Sequence, residues 1–181
     1  MFKTALLALA LTASATIAHA TIQITGRYDA WITFAGTASD GRAICGASIH
    51  GDDRNFDIKY TSGTMFIHLS KRGWKIPEGK RVTFTMQVDQ AAVWNLNATG
   101  HSGTPDFIEF DFDLNETAPS GEKTVVEFTN LIMNGLNVRF QFPNGSESDW
   151  IASLRGATPA LNKMAVCMKV LDTPPTQPFS G

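Results

Sequence analysis

The chain has 181 residues, of which 43% are hydrophobic and 18% charged, with a formal net charge of −2 at pH 7. Its 15 basic residues are outnumbered by 17 acidic ones and form no stripe, which excludes a nucleic-acid backbone as partner because phosphates demand clustered cations. After the first 20 residues no segment approaches the roughly 18 consecutive apolar residues of a bilayer span, so a transmembrane segment is excluded as well.

Residues 1–20, MFKTALLALALTASATIAHA, join one cation, Lys3, to an apolar run from Ala5 to Leu11 and the small-residue pattern Ala18-His19-Ala20. This is the pattern of a secretory signal cleaved near Ala20. Cleavage leaves 161 residues and takes the formal charge to −3, since Lys3 is the only charged residue removed. That length suits one domain, expected over 21–172, followed by a Pro-rich flexible tail over 173–181. The mature chain is then periplasmic or secreted. Two cysteines in an exported chain, Cys45 and Cys167, are expected to form one structural disulfide. Their separation puts the chain-entropy gain at about 5 kcal/mol before strain.

The stretch 21–36, TIQITGRYDAWITFAG, alternates Tyr28, Ala30, Ile32 and Phe34 with Asp29, Trp31 and Thr33 and is expected to be the opening strand. A second strand, RAICGASIH, holds Cys45, and a third over 55–60 places Phe56, Ile58 and Tyr60 on one side. The central stretch 65–89 has two alternating limbs. Met65, Ile67 and Leu69 oppose Phe66, His68 and Ser70 in the first; Val82, Phe84, Met86 and Val88 oppose polar partners in the second. They read as a long hairpin closed by Lys71-Arg72-Gly73 and Pro77-Glu78-Gly79-Lys80, with Trp74 folded inward.

A short strand is expected over 92–96 and a loop over 97–106. Residues 107–114 alternate strictly, with Ile108, Phe110, Phe112 and Leu114 on one face and Glu109, Asp111 and Asp113 on the other. Val125, Phe128, Leu131 and Ile132 then fall at helical spacing, with Ser120 as the starting cap and Asn134-Gly135 as a left-handed stop. Leu136, Val138, Phe140 and Phe142 mark a strand, as do Trp150, Ala152 and Leu154. Thr158-Pro159 is expected to cap a last helix carrying Leu161, Met164, Cys167 and Leu171. Short strands bounded by Gly, Asp and Ser turns point to a mainly β domain, an antiparallel sandwich or partly open barrel with one or two short helices in its C-terminal third.

Several groups bear on chemistry. Glu109, Asp111 and Asp113 lie about 7 Å apart along one strand face, a separation relevant to paired-carboxylate glycoside hydrolysis. On an outer strand the same charges would simply be solvated and discourage edge-to-edge pairing. Trp74 and Trp94, near loops of a β domain, are candidate binding platforms or core plugs. His50-Gly-Asp52-Asp53 is too few ligands for a metal cage. His68 and His101 have no accompanying nucleophile motif. No catalytic residue, metal or cofactor is expected.

The order of these features resembles a family. The features are a secretory signal, Trp31 in the first strand, Cys45 in the second, LSKRGWKIPEG at 69–79, a helix ending in Asn134-Gly135, LNVRFQF at 136–142, and Leu154-Arg-Gly156 leading into a final helix. Over residues 28–171 the chain resembles the small exported sandwich proteins of alphaproteobacteria related to invasion-associated locus B. The resemblance implies a periplasmic or surface-associated protein, in some members linked to host-cell invasion, without a catalytic site. The expected function is therefore non-enzymatic binding of a protein or surface component. The alternative is a carbohydrate-active hydrolase, or a cation- or sugar-binding module, built on Glu109, Asp111 and Asp113.

Overall fold

A computed structural model describes residues 20–61, 63–101, 104–113 and 119–173. The expected signal peptide up to residue 19, Leu114, the Ser120 cap side chain and the tail from 174 lie outside what is described, and so do the side chains of Asp111 and Asp113. The described strands are β1 (Thr21–Tyr28), β2 (Trp31–Thr37), β3 (Ala43–His50), β4 (Arg54–Thr61), β5 (Thr64–Lys71), β6 (Arg81–Val88), β7 (Trp94–His101), β8 (Thr104–Asp113), β9 (Asn137–Gln141) and β10 (Trp150–Ser153). Helix α1 (Pro119–Asn134) precedes β9, and α2 (Ala157–Asp172) follows β10.

All ten strands belong to one open antiparallel sheet in the order β1-β2-β3-β4-β5-β8-β7-β6-β9-β10. The sheet curls back on itself, so that Phe56 of β4 meets Phe140 of β9 with ring centroids 5.1 Å apart, and Trp31 of β2 packs edge-on against Phe56. Alternation supplies the inner face. Phe56, Ile58 and Tyr60, then Met65, Ile67 and Leu69, then Phe84, Met86 and Val88 are all buried in one core. Helix α1 adds Val125, Phe128 and Ile132, and α2 adds Ala157, Ala160, Leu161 and Met164. The Cys45–Cys167 disulfide ties α2 to β3.

The two limbs of the central stretch do not pair with each other. β5 pairs with β4 and β8, whereas β6 pairs with β7 and β9. The order 5-8-7-6 is a Greek key, in which the connection 72–80 crosses two strands instead of closing a hairpin. Nor is the opening stretch one strand. Asp29 takes a left-handed backbone (φ 49) and turns the chain between β1 and β2. The stretch expected to be loop over 97–106 is largely strand, its first half belonging to β7 and its last three residues to β8. The inward positions Leu96, Ala98 and Gly100 of β7 include two small residues that hide the alternation.

Helix ends differ from expectation too. Gly135 is not left-handed. It is small because a Cβ there would press on Val88 and would lie 2.9 Å from Leu154. The backbone N–H groups of Leu136 and Asn137 donate to the Asp89 carboxylate instead, and Leu136 is exposed rather than interior. Helix α2 begins at Ala157, capped by Gly156 in the left-handed region, and Thr158 donates to the carbonyl of Met133. Proline 159 still falls in the first turn, where its missing N–H costs nothing.

Candidate functional site: a cleft on the outer face of the sheet

The polar face of β3, β4, β5 and β8 is organised by register. Ser48 lies opposite Asp57, Asp57 opposite His68, and His68 opposite Glu109, so one row of side chains crosses four strands. Neighbouring members of such a row touch directly. Ser48 donates to Asp57; Lys59, one step along β4, reaches Asp57 at 3.3 Å and His68 Nδ1 at 2.8 Å; His68 Nε2 lies 2.5 Å from Glu109 Oε2. An ammonium can only donate, so Nδ1 is the acceptor and the ring proton sits on Nε2, pointing at Glu109.

Burial and charge then set the protonation. Burial lowers the His68 pKa, the Glu109 hydrogen bond raises it, the Lys59 charge lowers it again, and the net shift is downward. Burial of Glu109 raises its pKa, but the hydrogen bond from His68 and the nearby charge of Lys59 outweigh that and hold the carboxyl low. The unit is a neutral imidazole between an ammonium and a carboxylate.

His68 and Glu109 of this row, with Lys59 beside them, floor a cleft of about 510 Å³. One wall is the turn from Ala38 to Arg42, braced by Ala38–Arg42 and Gly41–Ala38 backbone bonds and by Arg42 Nε on Asp40 at 2.7 Å. The other is a stack of rings. Phe107 packs face to face with His68 at 4.7 Å and with His101 at 5.5 Å, while Phe66 stands edge-on to His68. Thr61, at the end of β4, also lines the cleft. Its hydroxyl is buried and has no hydrogen-bond partner among the described residues.

Of the acidic strand, Glu109 lines this cleft and is hydrogen-bonded, not freely solvated. Strand β8 is paired on both sides, so its carboxylates do not guard an edge. Asp111 and Asp113 follow on the same strand, opposite Phe66 and Thr64 in register. Trp74 and Trp94 are elsewhere. Trp74 stacks on Trp150 at 5.1 Å at one end of the fold, and its indole N–H donates to Glu147. Trp94 leans on Phe128 of α1 beside a shallow apolar groove of about 600 Å³ that includes Val88, Ala91 and Leu131. No cluster of three or more His, Cys, Asp or Glu side chains suited to a metal occurs among the described residues.

Glu147, in the loop before β10, escaped the sequence reading. It accepts from Lys71 at 2.8 Å, Trp74 at 3.1 Å, Trp150 at 3.2 Å and Arg54 at 3.4 Å. Burial alone would raise its pKa, yet the bonds from Lys71, Trp74 and Trp150 hold it down at about 2. The available signal was an acidic residue three positions before a tryptophan, with a second tryptophan and a lysine on a distant turn.

No protein-family model and no curated protein matches the chain. The curled sheet and its two helices do have a solved counterpart. The chain shares its fold with invasion associated protein B from Bartonella henselae. The match has a TM-score of 0.53 at 14% sequence identity and covers 81% of this chain and 99% of that one. The resemblance seen in the order of sequence features to proteins of the invasion-associated locus B type therefore extends to the architecture. With invasion associated protein B the likeness is one of fold.

Proposed function

We propose that this chain is an exported, non-enzymatic binding protein acting in the periplasm or at the cell surface, with the outer-face cleft as its recognition surface. The observation that carries this reading is the Lys59–His68–Glu109 unit. Its groups are committed to one another, which fixes their positions for recognition and leaves His68 protonated on the nitrogen that faces Glu109. Export is supported by the secretory pattern of residues 1–20 and by a disulfide, which persists in oxidising compartments. No helix among the described residues is long and apolar enough to cross a membrane. The invasion-associated protein that shares the fold supports a surface-associated or host-interacting role.

One observation favours the alternative of a carbohydrate-active hydrolase: Glu109 sits in a cleft with an aromatic wall. A single experiment separates the two. The chain from residue 21, oxidised and immobilised, is exposed to periplasmic and surface extracts, and in parallel incubated with chromogenic glycosides. Retention of a defined component by the wild type, weakened when Lys59 and Glu109 are exchanged for each other's charge, is the expected result. Turnover of a glycoside that disappears in Glu109→Gln would overturn the binding reading in favour of catalysis.

A further inference from the structure

We propose that the outer-face cleft takes an uncharged carbohydrate, held by the Thr61 hydroxyl, the Lys59 ammonium and the second carboxylate oxygen of Glu109. This deepens the binding reading above and rests on it. Thr61 is 5% exposed and lines the cleft, yet its Oγ1 has no hydrogen-bond partner among the described residues. Buried polar atoms without partners are uncommon, because the lost hydration is not returned. The charged groups on the floor are engaged with partners: Lys59 with Asp57 and His68, and Glu109 with His68. The Thr61 hydroxyl is left to be met by a ligand that reaches into the cleft.

Charge selects the ligand's chemistry. The cleft's fixed charges are Arg42 and Lys59 against Asp40 and Glu109, and the low pKa of His68 leaves it neutral. An anion in this cleft would face Glu109, and a cation would face Lys59, so neither gains a net field. A neutral ligand with groups that both donate and accept satisfies both sides. Its hydroxyls donate to the Glu109 oxygen that His68 does not hold and accept from Lys59 and Thr61. Phe66, Phe107 and Ile44 give the cleft an apolar wall suited to the C–H face of a sugar ring. The volume of about 510 Å³ is within the range of small-molecule sites.

The probe is an array of neutral, sialylated and sulfated oligosaccharides, read with the oxidised chain from residue 21 and followed by titration of the bound sugar. Neutral oligosaccharides are expected to be retained. Thr61→Val should bind them about tenfold more weakly, the worth of one hydrogen bond, while melting at a higher temperature than the wild type because an unpaired hydroxyl is gone. Lys59→Met should weaken binding similarly. Thr83→Val, on the exposed face of β6 and bonded to Asn97, should bind as the wild type does. Retention of charged oligosaccharides only, retention of none, or full binding by Thr61→Val would each overturn the proposal. If Thr61→Val and the wild type capture the same component from extracts while neither binds a sugar, the carbohydrate assignment fails and the binding reading stands.

Discussion

Two glutamates in this protein are held below the ordinary carboxylate range for different ends. Glu147 collects two indole N–H groups, an ammonium and a guanidinium around a side chain that is 14% exposed. A folded pKa of about 2 against an ordinary 4.5 means that the folded chain binds fewer protons than the unfolded one between those values, so stability is present above pH 4.5 and is lost as pH falls toward 2. The displacement corresponds to about 3 kcal/mol, reduced to about 2 by solvent at the loop edge. Glu147→Gln should therefore lose about 2 kcal/mol at neutral pH and show a flatter acid-unfolding profile, measured by circular dichroism between pH 2 and 6. His68 has the same sign. Its pKa is lowered from 6.5, so its contribution to stability is full above that value and declines as pH falls through it. Removing the Lys59 charge in Lys59→Met should raise the His68 pKa, and removing the opposing carboxylate in Glu109→Gln should lower it further. Both shifts are readable in an NMR titration of the imidazole protons, and a pKa unmoved by either change would show that the row is not electrostatically coupled.

At the scale of elements, the turn from β10 into α2 depends on one glycine. Gly156 has φ 88, and a Cβ there would run into the backbone carbonyl of Tyr28. Gly156→Ala should cost about 3 kcal/mol or more, combining left-handed strain with the collision, seen as a lower urea midpoint with an unchanged slope. Much of the rest was legible in the sequence. Strands β4, β5, β6, β8 and β9 are long alternations of large apolar and polar residues, and period 2 is visible without a partner. Only the start of strand β7, within the strand expected over 92–96, is legible, because Ala98 and Gly100 fill its later inward positions. The turn at Asp29 was lost because a non-glycine residue takes the left-handed conformation there, and alternation runs on through it. The site was half legible for a similar reason. Glu109 and His68 each stood out, but what joins them is the register of β5 on β8 across 41 residues. Alternation fixes which face a side chain takes and says nothing of which strand lies beside it. The same limit turned a Greek key into an apparent hairpin. Thr61 carries no mark in the sequence at all; its meaning comes from being buried beside an open cleft.

At the scale of the whole molecule, the Cys45–Cys167 bond spans 122 residues and joins β3 to α2, with Cα atoms 6.1 Å apart. Reducing it, or replacing both cysteines with alanine, should lower the unfolding free energy by about 4 kcal/mol, measured by urea denaturation with and without dithiothreitol. The bond is backed at the far end of α2, where the Tyr60 hydroxyl donates to Asp172 at 2.6 Å and accepts from the Gly63 backbone. Nearly the whole sheet from β3 onward, helix α1, the first two thirds of α2 and the cleft residues from Lys59 to Glu109 fall inside this covalent ring. A protease that severs one peptide bond between the two cysteines would leave both fragments attached, docked on the same sheet and able to keep the cleft assembled. Such nicked material should run as one band on a non-reducing gel and as two after reduction, and it should retain ligand until the thiols are freed.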